Sequence, residues 1–265
     1  MNIDHRAKRD IMTENKYLCS HDMFKNIPTT KTQKYKYNGE LTIPANDNIS
    51  VVEIMATDLF TLGHKFVSMK TVKPAMVYMI DKEFNGSNID ILKNVTECDF
   101  VLRSNFYKTM NAENIYPLED GEITYAQNVF IFRDEKYEIS SQKYIISVIT
   151  FSPIKNPVLL GSYMRPDDYL GYQETIESIF QGACVAGHDT LILSDMGCLN
   201  YGIPINEAIE ILNICILKYC TLFKFIIFAI PVNNPTSMNL FAQFAKGIIK
   251  PQSLTDETTN ETSSF

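Results

Sequence analysis

The runs Met76–Ile80, Tyr144–Phe151, Thr190–Leu193 and Phe223–Ile230 are apolar almost throughout. That continuity restricts the fold more than any other feature of the chain. A strand with one wet face alternates apolar and polar side chains, whereas a strand covered on both faces reads as a nearly unbroken hydrophobic run. Between these runs lie segments with helical spacing: Asp58–His64, Ile89–Met110, a helix capped by Asp167 or Asp168 that stops at Gly187, Asn206–Cys220 and Pro235–Phe244. Val51–Met55 and Asn128–Arg133 are further expected strands. Strands alternating with helices over residues 51–245 predict a three-layer α/β domain, without internal repeats.

The flanks read differently. Residues 5–19 predict a charged helix with a narrow apolar stripe at Ala7, Ile11 and Leu18. Residues 20–50 show no long period and suggest an irregular arm with a short strand near Tyr35–Leu41. The sequence thus divides into an N-terminal extension over 1–50 that packs on the core, one domain over 51–250, and a tail over 251–265. That tail lacks core-forming residues and is expected to be disordered.

Composition removes several classes of function. With 31 acidic against 24 basic residues and a formal charge of −7, the chain has no electrostatic footprint for direct nucleic-acid binding. Its six cysteines form no Cys-x-x-Cys pair and have no histidine at metal spacing. Free thiols in a reducing, intracellular compartment, cytoplasmic or nuclear, are the expectation, with no metal site and no cofactor. Met1–Arg9 lacks the apolar region of a signal peptide, and no apolar run approaches membrane-spanning length. Gly-x-Ser-x-Gly, phosphate-loop, Gly-x-Gly-x-x-Gly and His-Glu-x-x-His motifs are all absent. His188 follows a helix-ending glycine and reads as a capping or packing residue.

The most informative stretch is Gly187-His-Asp-Thr-Leu-Ile-Leu-Ser-Asp-Met-Gly-Cys-Leu-Asn-Tyr-Gly202. A buried strand empties through a glycine-containing loop toward a helix near Ile205. In such a loop main-chain amides can converge on an anion, and the carboxyl end of a strand in an open α/β sheet is where ligands sit.

Three blocks in order resemble the microbial-type poly(ADP-ribose) glycohydrolase branch of the macrodomain family: Tyr116-Pro-Leu with Val129-Phe-Ile-Phe-Arg-Asp134, Val148-Ile-Thr-Phe-Ser-Pro-Ile-Lys-Asn156, and the Gly187–Gly202 stretch. The likeness runs from about residue 5 to residue 244. It implies a three-layer α/β/α macrodomain-like fold with a mixed, mostly parallel central sheet. In that family a Gly-Cys-Gly-Ala-Phe-Gly loop wraps the diphosphate of ADP-ribose. Gly197, Cys198, Tyr201 and Gly202 match it, with Tyr for Phe, while Leu199 and Asn200 replace Gly and Ala.

The resemblance also places the family's catalytic loop. Anchored on Arg103-Ser-Asn-Phe-Tyr107, Gly86-Ser87-Asn88 fall on its three glycines, and Thr96-Glu97-Cys98 fall on its Gln-Glu-Glu. Cys98 therefore stands where the family has its acid, and a thiol differs from a carboxyl in reach and pKa. Glu97 remains, and Asp99 lies two residues after it. The resemblance implies a diverged member that binds ADP-ribose, a related nucleotide-diphosphate-ribose or an ADP-ribosylated protein, with hydrolysis reduced or lost. The alternatives are an active ADP-ribosyl glycohydrolase using Glu97 as acid and base, and a scaffold with no ligand.

Overall fold

The computed structural model describes residues 4–21, 24, 26–39, 41, 48–82, 95–110 and 115–251, without the side chains of residues 5, 95–98 and 109–110. In chain order the elements are α1 (His5–Ser20), β1 (Lys31–Lys36), β2 (Val51–Met55), α2 (Leu59–Ser68), β3 (Pro74–Met79), α3 (Val95–Arg103) and α4 (Tyr107–Met110). They continue with β4 (Glu122–Arg133), β5 (Ile139–Phe151), β6 (Leu159–Leu160), β7 (Tyr163–Met164), α5 (Pro166–Val185), β8 (Thr190–Leu193), α6 (Ile205–Tyr219), β9 (Phe225–Ala229) and α7 (Pro235–Gly247).

Strands β1-β4-β5-β3-β8-β9-β2 form one 7-stranded sheet. Pairing is parallel from β5 through β3, β8 and β9 to β2, and antiparallel where β4 meets β5 and β1. The sheet is thus mixed and mostly parallel, with helices on both faces. Strand β3 shows why its sequence is apolar at every position. Ala75, Val77 and Met79 point into the core beneath α5, α6 and α7, whereas Met76 and Tyr78, with Ile80 just after the strand, point into the core beneath α1, α2 and α3. Covering both faces demands an apolar side chain at both parities.

Several boundaries depart from the sequence reading. The helix expected over Ile89–Met110 is interrupted after Arg103, and its part before Val95 lies outside the described residues. The interruption is a docking event: the Asn105 amide donates to the Phe130 carbonyl at 3.1 Å, and the Asn105 side-chain oxygen accepts from the Phe130 amide at 2.8 Å. These bonds to β4 replace the helical ones. The edge strand lies at Lys31–Lys36 rather than Tyr35–Leu41, and β4 and β5 run longer than their apolar cores. In α5, Pro166 takes the first helical position, so Asp167 and Asp168 sit in the first turn and Arg165 is the cap. The stretch from 252 onward, expected as a tail, lies outside the described residues.

Helix α1 is fastened by polar chemistry as well as by its apolar stripe. Its buried positions are Met12 and Asn15, with Ile11 and Cys19 packed beside them. Buried Arg133 donates to Asn15 at 2.6 Å, to the Tyr137 carbonyl at 2.6 Å and to Glu14 at 2.8 Å, and Asn15 donates in turn to the Leu102 carbonyl at 2.8 Å. A buried guanidinium that donates from all three of its nitrogens in this way is tolerated where a bare one is not.

Candidate active site

The parallel strands β3, β8 and β9 end on the same edge of the sheet, where ligands collect in open α/β folds. A cleft of about 360 Å³ opens there. Tyr78 and Met79 line it from β3, Ser194 and Asp195 from just beyond β8, and Ala229 from the end of β9. Asp58, Leu59 and Phe60 enter from the start of α2, Asp99 and Arg103 from α3, Leu199 and Asn200 from the loop after β8, and Pro231, Asn233, Asn234 and Ser237 from the approach to α7.

Two of these contributors are helix starts with their caps in place. Asp58 accepts from the amides of Phe60 at 2.9 Å and Thr61 at 3.1 Å. Asn234 and Ser237 form a capping box around Pro235, as the Asn-Pro-Thr-Ser order favours. The caps fix the chain direction at both walls.

The aromatic side of the cleft is tightly built. Tyr78 stacks on Phe100 with ring centroids 4.3 Å apart, and Arg103 lays its guanidinium over Phe60 at 3.7 Å from the ring centre. Arg103 also approaches Asp99 at 3.5 Å and donates to the Arg133 carbonyl at 3.3 Å. Burial lifts the Asp99 carboxyl above the usual carboxylate range, while Arg103 and a Tyr137 hydrogen bond pull the other way. Among the described residues of the lining, Asp58, Asp99 and Asp195 face one guanidinium, a surplus of acid groups.

The loop after β8 turns sharply at Met196 and Gly197, both with positive φ. A Cβ on Gly197 would come within 3.1 Å of both Ile203 and Pro153, so the position requires glycine on conformation and on space. The loop's amides are directed inward. Cys198 donates to the Asp195 carbonyl at 3.1 Å, Tyr201 to the Gly197 carbonyl at 3.0 Å, and Leu199 to the Asp195 carboxylate at 2.8 Å. The Gly197 amide and that of Asp195 itself also serve this carboxylate. Burial raises the Asp195 pKa, and the amides oppose that shift.

On the other side of the same loop lies a second cleft of about 330 Å³, lined by Tyr201, by Ser152–Lys155 beyond β5, and by a ring of charged residues. Those charges are paired: Lys82 with Asp120 at 2.9 Å, Lys155 with Asp81 at 3.7 Å, and Arg165 with Asp168 at 3.1 Å. The Asn156 amide donates to the Tyr201 carbonyl at 2.7 Å, tying the loop to the end of β5.

The residues expected at the site therefore separate. Leu199 and Asn200 line the first cleft, and Tyr201 lines the second. Gly197 forms the turn between them, Gly202 abuts Asn156, and Cys198 packs against the core with its thiol pKa pushed up by burial. Gly86, Ser87 and Asn88 lie outside the described residues, as do the side chains of Glu97 and Cys98 in α3. Sequence reasoning missed Asp58, Phe60 and Ser194; Arg103 entered only as the anchor of a motif, and Asp195 only as the first residue of the loop 195–202, without a role of its own. Ser194 and Asp195 carried a usable signal, since they immediately follow a buried strand. His188 is a packing residue: its ring bridges the Tyr125 hydroxyl at 2.9 Å and the Lys73 carbonyl at 3.0 Å. Among the described residues no group of histidine, cysteine and acidic side chains could hold a metal ion, and no helix is long and apolar enough to cross a membrane.

No family model and no curated protein matches the sequence. Solved structures do match. The poly(ADP-ribose) glycohydrolase from Thermomonospora curvata superposes with a TM-score of 0.74 at 14% identity, covering 92% of this chain and 100% of that one. The same enzyme bound to the inhibitor ADP-HPD gives 0.67 at 15% identity, covering 91% and 99%. The Deinococcus radiodurans poly(ADP-ribose) glycohydrolase in complex with ADP-ribose gives 0.64 at 14% identity, covering 95% and 94%. Almost the whole chain is shared, at an identity where fold is what the comparison carries. The chain has the fold of the microbial poly(ADP-ribose) glycohydrolases.

Proposed function

We propose that the chain binds ADP-ribose or a related nucleotide-diphosphate-ribose, free or attached to protein, with hydrolysis reduced or lost. One observation carries the reading: the loop after β8 stands as a shared wall between two clefts at the carboxyl edge of the sheet. A ligand with a nucleoside at one end and a ribose at the other has two ends to seat, and two clefts lined by the same loop offer a recess for each. The aromatic first cleft, with Phe60 and Tyr78 and the polar groups of Asp58 and Asn234, suits a nucleoside. Similarity to glycohydrolase structures holding ADP-ribose and ADP-HPD supports the same ligand class. Cys98 at the acid position of the resembling motif is the reason for reduced hydrolysis, because breaking a glycosidic bond needs an acid at the leaving oxygen.

Isothermal calorimetry tests binding. Heat with ADP-ribose or adenosine at up to millimolar concentration is expected, and folded protein silent toward both would remove the reading. A second reading, an active hydrolase, draws support from Asp99, a cleft carboxyl that burial biases toward its protonated form. Release of ADP-ribose from a modified protein, compared between wild type, Glu97→Gln and Asp99→Asn, separates these possibilities. Release abolished by Glu97→Gln assigns the acid to Glu97, release abolished only by Asp99→Asn assigns it to Asp99, and no release from wild type favours the binding protein.

A further inference from the structure

Asp195 occupies the place within its loop that a bound anion would take. Its carboxylate receives the Leu199 amide at 2.8 Å, together with the amides of Gly197 and of its own residue, and the residue is only 8% exposed. Converging main-chain amides after a buried strand are a common means of holding a phosphate. In this chain a carboxyl side chain of the loop itself already engages those amides.

The surroundings do not compensate for a second anion. Asp58 and Asp99 line the same cleft, and the guanidinium of Arg103 is already engaged by Asp99 and by the face of Phe60. Beside Asp195, at the end of β8, Ser194 is 8% exposed and its hydroxyl makes no hydrogen bond among the described residues. A buried hydroxyl without a partner is costly, and a small rotation of Ser194 would let a neutral donor or acceptor on a ligand meet it. The cleft thus offers an unmet neutral hydrogen-bonding group beside Phe60 and Tyr78, with carboxylates where phosphate oxygens would need donors.

We propose that Asp195 is a charge filter: the cleft admits the uncharged nucleoside part of its ligand, and the Asp195 carboxylate keeps a diphosphate off the amides of the loop. This rests on the reading of the first cleft as the recess for the nucleoside end of the ligand. Each added phosphate then weakens binding, because two anions sharing a partly dehydrated loop repel strongly.

The test is a calorimetric series with adenosine, AMP and ADP-ribose near neutral pH. Wild type is expected to bind adenosine more tightly than AMP, and AMP more tightly than ADP-ribose, with the ends of the series separated by roughly tenfold or more. Asp195→Asn and Asp195→Ala, each checked by circular dichroism and thermal melting, are expected to raise ADP-ribose affinity to that of adenosine or above it. Wild-type protein that prefers ADP-ribose to adenosine overturns the filter while leaving the cleft reading intact, and so do folded Asp195 variants that keep the wild-type order. The wild-type series needs no variant, so it decides the matter even where a substitution misfolds. Wild type and folded variants all silent toward the three ligands overturn the cleft reading and the filter with it.

Discussion

The two clefts on either side of the loop after β8 are similar in volume and differ in how they handle charge. In the second cleft each of Lys82, Lys155 and Arg165 meets a nearby aspartate on a wet surface. In the first, Asp58 and Asp195 are held by main-chain amides, and Asp99 shares one guanidinium with an aromatic ring. Exposed ion pairs cancel locally and are screened, so they leave little field for a ligand. Buried charges held by amides keep their sign and their cost. The difference is the reason the proposed discrimination by charge is assigned to the first cleft and not to the second.

Arg103 is the position where this difference is most exposed to challenge. Arg103→Ala strips the partner from a carboxyl that is mostly buried and removes the cation over Phe60. A loss of about 3 kcal/mol in urea unfolding is expected, and a loss below about 1 kcal/mol would show that Asp99 is as well solvated as its counterparts in the second cleft. Gly197→Ala strikes the wall between the clefts, combining positive φ with contacts at 3.1 Å. It should cost about 1–3 kcal/mol and weaken any nucleoside binding, and an unchanged melting temperature would refute the close packing of the turn.

A pH series probes the same contrast more finely. Asp99 and Asp195 have raised carboxyl pKa values in the folded chain, with burial as the leading cause. The folded state therefore holds more protons than the unfolded one between the ordinary aspartate value and the raised ones. Their contribution is fully present below the unfolded pKa and is lost as pH rises through the folded pKa. Relative to Asp99→Asn/Asp195→Asn, wild type should gain stability as pH falls toward the ordinary aspartate range, and a stability difference that does not change with pH would contradict this. Arg165→Ala, in the second cleft, is the smallest effect: within about 0.5–1 kcal/mol, measured by the same urea unfolding, where a larger loss would erase the distinction between the clefts.

How much of this was legible beforehand follows from the range of the interactions. The central strands were readable because both faces of β3 and β8 are covered, which leaves its trace in consecutive residues. The turn at Gly197 was readable for a similar reason, since a strand end followed by glycine is a local signature. The break after Arg103 was not, because it depends on Asn105 finding Phe130 across the chain. The first cleft was only half visible for the same cause. Asp58, Asp99 and Asp195 come from segments far apart in sequence, and each alone resembles an ordinary cap or surface acid. Asp195 was also hidden by attention to the glycines around it, although its distance from Leu199 matches a side chain folding back on its own loop.

The grip of Arg133 on α1 bears on how this protein can be trimmed. Deleting residues 5–20 would remove Asn15 and Glu14 together and uncover the apolar face beneath Met12 along with Arg133. Shortened versions that start at β2 should therefore aggregate or fail to express. The segment that looked in sequence like an appendage behaves as a plug, and any minimal fragment has to keep it.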